Sequence, residues 1–210
     1  VKALFRRTID TGLKHGTVTI LMDGEPFEVT TYRVDGEYLD GRHPSEVTFT
    51  ASLQEDLQRR DFTINAMYMD SEGKIYDPEG GQEDCSKKLI RAVGNPDERF
   101  HEDALRILRA IRFCSSLGFE IEPDTLRAME THADELKKIS GERIATELTG
   151  IVTGKYAPKA VMTGCRVLSV IVPEIGECKG FEQHSKYHDR DVLEHTLDVL
   201  EHIPYIEGKG

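Results

Sequence analysis

At 210 residues the chain is long enough for one domain or two small ones, and 38% hydrophobic with 31% charged residues describes a folding chain. No apolar run approaches the roughly 18–20 residues of a membrane span, and no signal-peptide pattern opens the sequence. A net charge of −11 excludes a protein that coats nucleic acid with a broad basic surface, but leaves room for one local basic groove.

Residues 17–22 and 27–32 alternate β-branched and polar side chains around Asp23-Gly24-Glu25-Pro26, which predicts a β-hairpin. Alternation sets Phe27 and Val29 on one face and Glu28, Thr30 and Tyr32 on the other. Residues 33–46 are polar, with two glycines and a proline, and read as an exposed mobile loop. A short helix follows over 53–60, then a strand from Ile64 to Met69, and a breaker at Asp77-Pro78-Glu79-Gly80-Gly81. From about residue 97 the strand pattern stops. Helical periodicity runs through 101–117, 123–138, 140–153 and 157–169, with Ser140 as an N-cap, and a last helix spans 189–203 after Pro173 and Gly176. The fold class is therefore α+β: a partial mixed β-sheet head over 1–94, a helical neck over 95–155 and a helical body over 156–210. Cys85, Cys114, Cys165 and Cys178 form no metal-ligand pair and read as reduced thiols of a cytoplasmic protein. The sequence begins at Val1 without an initiator Met and stops at Gly210 after a new helical pattern, which reads as a piece of a longer protein or a processed form.

The stretch from Glu102 to Arg112 is the most informative. Ala104, Ile107, Leu108 and Ile111 have the spacing of a buried helix stripe. At about 100° per residue, Asp103 and Arg106 lie about 60° apart, whereas Arg112 lies on the opposite side from Asp103. A carboxylate beside a guanidinium can read the Watson–Crick edge of a base, accepting from an exocyclic amine and donating to ring acceptors. The same residues also fit a solvated face on which Glu102 pairs with Arg106 four residues on.

Several segments then carry a family resemblance in order: Thr8 to Thr19, Phe27 to Arg33, Asp35 to Pro44, Arg59-Arg60-Asp61-Phe62-Thr63-Ile64-Asn65-Ala66, Asp77 to Asp84, Glu102-Asp103-Ala104-Leu105-Arg106, and Arg143 with Glu147-Leu148. Together they resemble the bacterial CCA-adding tRNA nucleotidyltransferases and poly(A) polymerases. The resemblance implies that Arg60 contacts an incoming nucleotide, with Asp61 near its ribose and Asn65 supporting the site. Asp103 and Arg106 would read the base of CTP or ATP, and Arg109 and Arg112 would lie toward the phosphates. The residue types also admit plainer roles: Arg60-Asp61 as a surface ion pair, Asn65 tying down a strand end, Asp77 and Gly81 shaping a link.

The resemblance further implies Mg2+, held by two carboxylates two residues apart after a Gly-Gly element. No such pair lies on a strand here; by family order it belongs upstream of Val1, so the chain alone is expected to be inactive. Glu28 stands where the wider superfamily often has a third acidic residue, or is an ordinary outward-facing strand residue. Gln183 to His188 and Asp191 to Thr196 resemble the opening of an HD-type phosphohydrolase domain, in which His195 would bind metal; the alternative is a helix histidine without one. The implied function is addition of CMP and AMP from CTP and ATP to the tRNA 3′ end. The rivals are a poly(A) polymerase and a non-catalytic fragment that only binds nucleotide or RNA.

Overall fold

The computed structural model describes residues 1–13, 16–35, 47–182 and 190–203. Most of the expected 33–46 loop and the Gln183 to His188 segment lie outside the described residues. The chain divides into two compact units, Val1–Arg60 and Asp61–Gly210.

In the first unit, β1 (Thr8–Gly12), β2 (Thr17–Met22) and β3 (Glu25–Thr30) form an antiparallel sheet in that order. The predicted hairpin is present, but tighter than expected: Met22 pairs with Glu25, so only Asp23 and Gly24 form the turn. Both have positive φ, 53° and 90°, the geometry that an Asp-Gly pair adopts in a two-residue hairpin. Pro26 falls inside β3, which tolerates it as an edge strand because the missing N–H costs no ladder bond there. Residues 33–35 are not loop: β4 (Arg33–Asp35) pairs antiparallel with β5 (Val47–Phe49). Helix α1 (Leu53–Gln58) completes the unit, capped by the Ser52 hydroxyl accepting from the Glu55 N–H.

In the second unit, the strand expected from Ile64 to Met69 is mostly absent. Thr63–Asn65 is a 3-10 turn, followed by β6 (Tyr68–Met69) paired with β7 (Ile75–Tyr76). After the breaker comes a helix absent from the sequence reading, α2 (Gly81–Lys87). Its N-terminus is held by Asp77, whose carboxylate accepts from Gly81 N–H at 2.7 Å and Gln82 N–H at 2.8 Å. Partial burial pulls the Asp77 carboxyl upward, but those backbone donors outweigh it and leave the group below its ordinary value. Gly81 sits against the preceding turn: a Cβ there would stand 2.2 Å from the Thr63 carbonyl oxygen.

Strands do not vanish after residue 97, because β8 (Leu89–Ile90) pairs in parallel with β9 (Glu120–Ile121). The helices are α3 (Pro96–Glu102), α4 (Leu105–Leu117), α5 (Pro123–His132), α6 (Gly141–Val152), α7 (Ala157–Thr163), α8 (Cys165–Leu168), α9 (Pro173–Cys178) and α10 (Val192–His202). Three predicted helices depart from their periodicity: the 157–169 pattern is interrupted at Gly164, and two others are shortened. The 101–117 pattern breaks at Asp103, and the 123–138 pattern tightens into a 3-10 turn over Ala133–Lys138. The expected stripe is buried, with Ala104, Ile107, Leu108 and Ile111 in one apolar core that also holds Phe62, Ile90, Phe100, Met129 and Ile151. Ser140 does occupy the N-cap of α6, without a side-chain capping bond. The four cysteines are unpaired, and burial pushes the Cys114 thiol to about 11, which makes it an inert packing group. No helix among the described residues is long and apolar enough to cross a membrane.

Gly81→Ala is expected to lower stability by about 1–3 kcal/mol, since the added methyl meets backbone rather than a yielding side chain. Gly141→Ala, which meets nothing within 4 Å in α6, should be neutral or slightly stabilising. Urea midpoints distinguish the two. Asp77→Ala should cost about 1 kcal/mol at neutral pH. Because the folded Asp77 carboxyl is the lowered one, its contribution is full above the unfolded value of about 4 and is lost as pH falls below it. The gap between wild type and Asp77→Ala should therefore close as urea denaturation is repeated from pH 5 to pH 3.

Candidate nucleotide site

In the first unit the organising group is Asp56, which is 2% exposed. Its carboxylate accepts from the Arg33 backbone N–H at 3.2 Å, from Arg59 Nη2 at 2.6 Å and from Arg60 Nη2 at 3.2 Å. Burial raises the Asp56 carboxyl, and the Arg59 guanidinium and its companions more than reverse that, so the group stays ionised. Arg60 is thus oriented from one side by a buried anion. Sequence reasoning passed over Asp56, although its spacing of three and four residues from Arg59 and Arg60 on a helix is the signal that finds it. Glu28 is exposed on β3, opposite Thr19 in register.

In the second unit Asp61 gathers three partners. It accepts from the Phe62 N–H at 2.8 Å, from Asn65 Nδ2 at 3.1 Å, and from Arg109 Nε at 2.8 Å and Nη2 at 2.6 Å. Asn65 therefore engages the Asp61 side chain rather than a strand end. Arg109 and Arg112 both lie over the Phe113 ring, at 5.5 Å and 4.7 Å from its centroid, and Phe113 meets Phe62 edge-on at 5.8 Å. Arg112 pairs with Glu147 at 2.7 Å and runs along α6, where a Cβ on Gly150 would stand 2.5 Å from Arg112 Cδ.

Asp103 is not a helical residue, so the angular relation drawn between it and Arg106 from one continuous helix does not apply. It is the C-cap of α3, with φ −144° and ψ 101°. One carboxylate oxygen accepts from the Leu105 N–H at 3.0 Å and the other from Arg143 Nη2 at 3.1 Å. Arg106, on the first turn of α4, donates to Glu102 Oε2 at 2.6 Å and to the Arg99 carbonyl at 3.1 Å. The Glu102–Arg106 pair anticipated on the solvated-face reading is thus formed, yet Arg106 is only 8% exposed. Glu102 also receives Arg99. The outcome is a carboxylate at a helix break and a guanidinium on the first turn of the next helix, each held by its own ion pair. A separate polar web, Thr63–Asp84–Arg91–Glu122–Thr125, ties the 3-10 turn and α2 to the start of α5: Thr63 Oγ1 donates to Asp84 at 2.7 Å and Thr125 N–H to Glu122 at 2.8 Å.

Among the described residues, the sheet face of Glu28 does not fit the magnesium ion that the resemblance implies. The sheet face that carries Glu28 otherwise presents Pro26, Thr30, Thr17, Thr19, Leu21 and Ile9, with no second carboxylate among them. His195 is exposed on α10 and belongs to no cluster of three candidate metal ligands among the described residues.

The Asp61–Arg109 pair spans 48 positions and is largely sheltered, so a double-mutant cycle of Asp61→Asn and Arg109→Gln in urea should return a coupling of about 1–2 kcal/mol. A coupling near zero would make the pair an incidental surface contact.

Comparison with known proteins gives this geometry a family. The Poly A polymerase head domain matches residues 1–91, and a second family, described as "Probable RNA and SrmB- binding site of polymerase A", matches residues 118–178. The CCA-adding enzyme of Oceanobacillus iheyensis is 53% identical over 161 residues, 77% of this chain and 40% of that protein. That of Pediococcus pentosaceus is 44% identical over 202 residues, 96% of this chain and 49% of that protein. The chain thus spans less than half the length of these relatives. Among solved structures, the Bacillus stearothermophilus CCA-adding enzyme in complex with CTP superposes with a TM-score of 0.73 at 39% identity, over 95% of this chain and 45% of that one. The Thermotoga maritima CCA-adding enzyme complexed with tRNA gives 0.65 at 26% identity, over 82% and 40%. Matched in both of its units and across its ordered motifs, the chain belongs to the family of CCA-adding enzymes and poly(A) polymerases.

Proposed function

We propose that this chain selects CTP and then ATP for the addition of C, C and A to the tRNA 3′ end, with release of pyrophosphate. The observation that carries the reading is the anchored pair at the break between α3 and α4. Asp103 is fixed by Arg143, and Arg106 by Glu102. Cytosine and adenine share one pattern on their Watson–Crick edges, an exocyclic amine that donates beside a ring nitrogen that accepts. A carboxylate next to a guanidinium complements that pattern, whereas guanine and uracil present a carbonyl and a ring N–H in those places. One site can therefore take both C and A without a template and reject G and U.

The surrounding residues take roles that follow from their contacts. Arg60, held by the buried Asp56 carboxylate, is assigned to nucleotide contact by the family resemblance. Asp61, supported by Asn65 and Arg109, acts near the ribose, and Arg109 and Arg112 line the phosphate side over Phe113. The divalent cation of the reaction is magnesium in this reading, and this chain does not supply its carboxylate pair; Glu28 is at most an accessory group. Relatives named as CCA-adding enzymes, and one solved with CTP, favour CCA addition over poly(A) synthesis. Four unpaired cysteines fit a cytoplasmic setting.

Calorimetry with CTP, ATP, GTP and UTP tests the reading. CTP and ATP should bind and GTP and UTP should not, with Asp103→Ala and Arg106→Ala each weakening binding roughly 5- to 150-fold, the equivalent of about 1–3 kcal/mol. Binding of ATP alone would replace CCA addition by poly(A) synthesis, and equal binding of all four would remove base selection from this pair. A folded chain that binds the nucleotides but never supports transfer when the missing carboxylates are supplied in trans would leave a binding module only.

A further inference from the structure

Beside the end of α3, three side chains from α3, α5 and the 3-10 turn after α5 converge on one spot. His101 lies in the last turn of α3, His132 is the last residue of α5, and Glu135 is in the 3-10 turn that follows. Their ligand atoms all lie within 4.8 Å of one another. His132 Nδ1 is 2.7 Å and His101 Nδ1 is 3.4 Å from the same oxygen, Glu135 Oε1. The other nitrogen of His132, Nε2, is 3.1 Å from Asp97 Oδ1. A histidine ligand characteristically has its outward nitrogen bonded to a carboxylate, which fixes the tautomer and turns the other nitrogen's lone pair inward. Asp97 provides that support, and the inward nitrogen of His132 then faces a carboxylate oxygen, an arrangement of two acceptors that calls for a cation or proton between them.

We propose that His101, His132 and Glu135 form a binding site for a divalent transition metal of the Zn2+ class, with Asp97 orienting His132. Two imidazoles and one carboxylate are the donor set of zinc and its neighbours, not of Mg2+, which takes an oxygen shell. Ligand distances near 2.0–2.1 Å around a tetrahedral ion place ligand atoms about 3.4 Å apart. The His101–Glu135 separation already has that value, and the His132–Glu135 pair needs to open by less than an ångström. His101 is 75% exposed, so the site is open to ions from solvent and leaves further coordination positions to water. Lys138 Nζ borders the site, 3.8 Å from the second oxygen of Glu135. A bound ion would tie the end of α3 to the α5 turn two residues before Asp103, and so stiffen the break at which the base is read.

The test uses the 210-residue chain stripped with chelator. Titration with zinc chloride in a calorimeter is expected to show one ion per chain, absent with magnesium chloride, and to raise the melting temperature. Cobalt chloride should give a visible spectrum of nitrogen and oxygen ligation without thiolate bands. His101→Ala, at an exposed position that folding does not need, should weaken Zn2+ binding by more than about tenfold, and Asp97→Asn by about 10–100-fold. Cys85→Ser should leave it unchanged. The proposal is overturned if His101→Ala binds Zn2+ as wild type does, if binding follows Cys85 or shows thiolate bands, or if Zn2+ binds no better than Mg2+.

Discussion

Three arginines on one helix each need an anion, and the second unit is organised around how those anions are delivered. On α4 the apolar stripe is committed to the core, which leaves Arg106, Arg109 and Arg112 on the remaining surface. Their carboxylates come from three different places: Glu102 on α3, Asp61 at the start of the unit and Glu147 on α6. A lone guanidinium in a sheltered position would be costly, whereas a paired one fixes the distance between the elements that bear the pair. The ion pairs thus do for the polar side of α4 what Ile107, Leu108 and Ile111 do for its apolar side. They specify which neighbours sit where, and Phe113 adds a flat platform over which two of the guanidinium groups lie.

The same logic explains the break before α4. A continuous helix through Glu102 and Asp103 would leave Asp103 as one more exposed acid. Leaving the helical region at Asp103 turns its carboxylate onto the Leu105 N–H, which would otherwise be an orphan at the start of α4, and toward Arg143 forty positions away. Arg106 is meanwhile tied back to Glu102 and to the Arg99 carbonyl. Two long or mobile side chains have become two fixed edges, so a base that binds between them meets groups whose rotamer freedom is already spent. On the proposed reading, that preorganisation would favour discrimination by hydrogen-bond pattern, since a loose pair would adapt to a wrong base.

How much of this the sequence carries depends on the range of the interaction. The hairpin was legible because Asp23-Gly24 and strand alternation are local signals, and the α4 stripe because its period is. The short strands were not. Tyr68–Met69, Leu89–Ile90 and Glu120–Ile121 are two residues each, below the length at which alternation means anything, and β8 and β9 pair only through the tertiary fold. Helix α2 escaped notice because its start is fixed by Asp77 reaching over a Pro-Glu-Gly-Gly breaker, not by a residue of its own. At the site, spacing pointed to Asp103 with Arg106 and to the local Glu102–Arg106 pair, and the family resemblance added Asp61 and the other arginines, but neither gave the long-range pairings. Asp61–Arg109 and Asp103–Arg143 are separated by 48 and 40 positions, and only the fold pairs them.

A triphosphate arriving at this surface would meet arginines that are already neutralised, which at first reads as an obstacle. The geometry of the guanidinium removes it. Arg109 uses Nε and Nη2 on a single oxygen of Asp61, which leaves the Nη1 donors for another acceptor. Such an arginine is aimed by its carboxylate and still has donors to offer, at the expense of a weaker net field. The consequence is selectivity by position instead of by charge: a stray anion gains little from a guanidinium that is half satisfied, whereas a ligand that reaches several of these donors at once gains from each. On the proposed reading, selectivity of this kind would let a chain with a net charge of −11 take an anionic nucleotide without attracting anions in general.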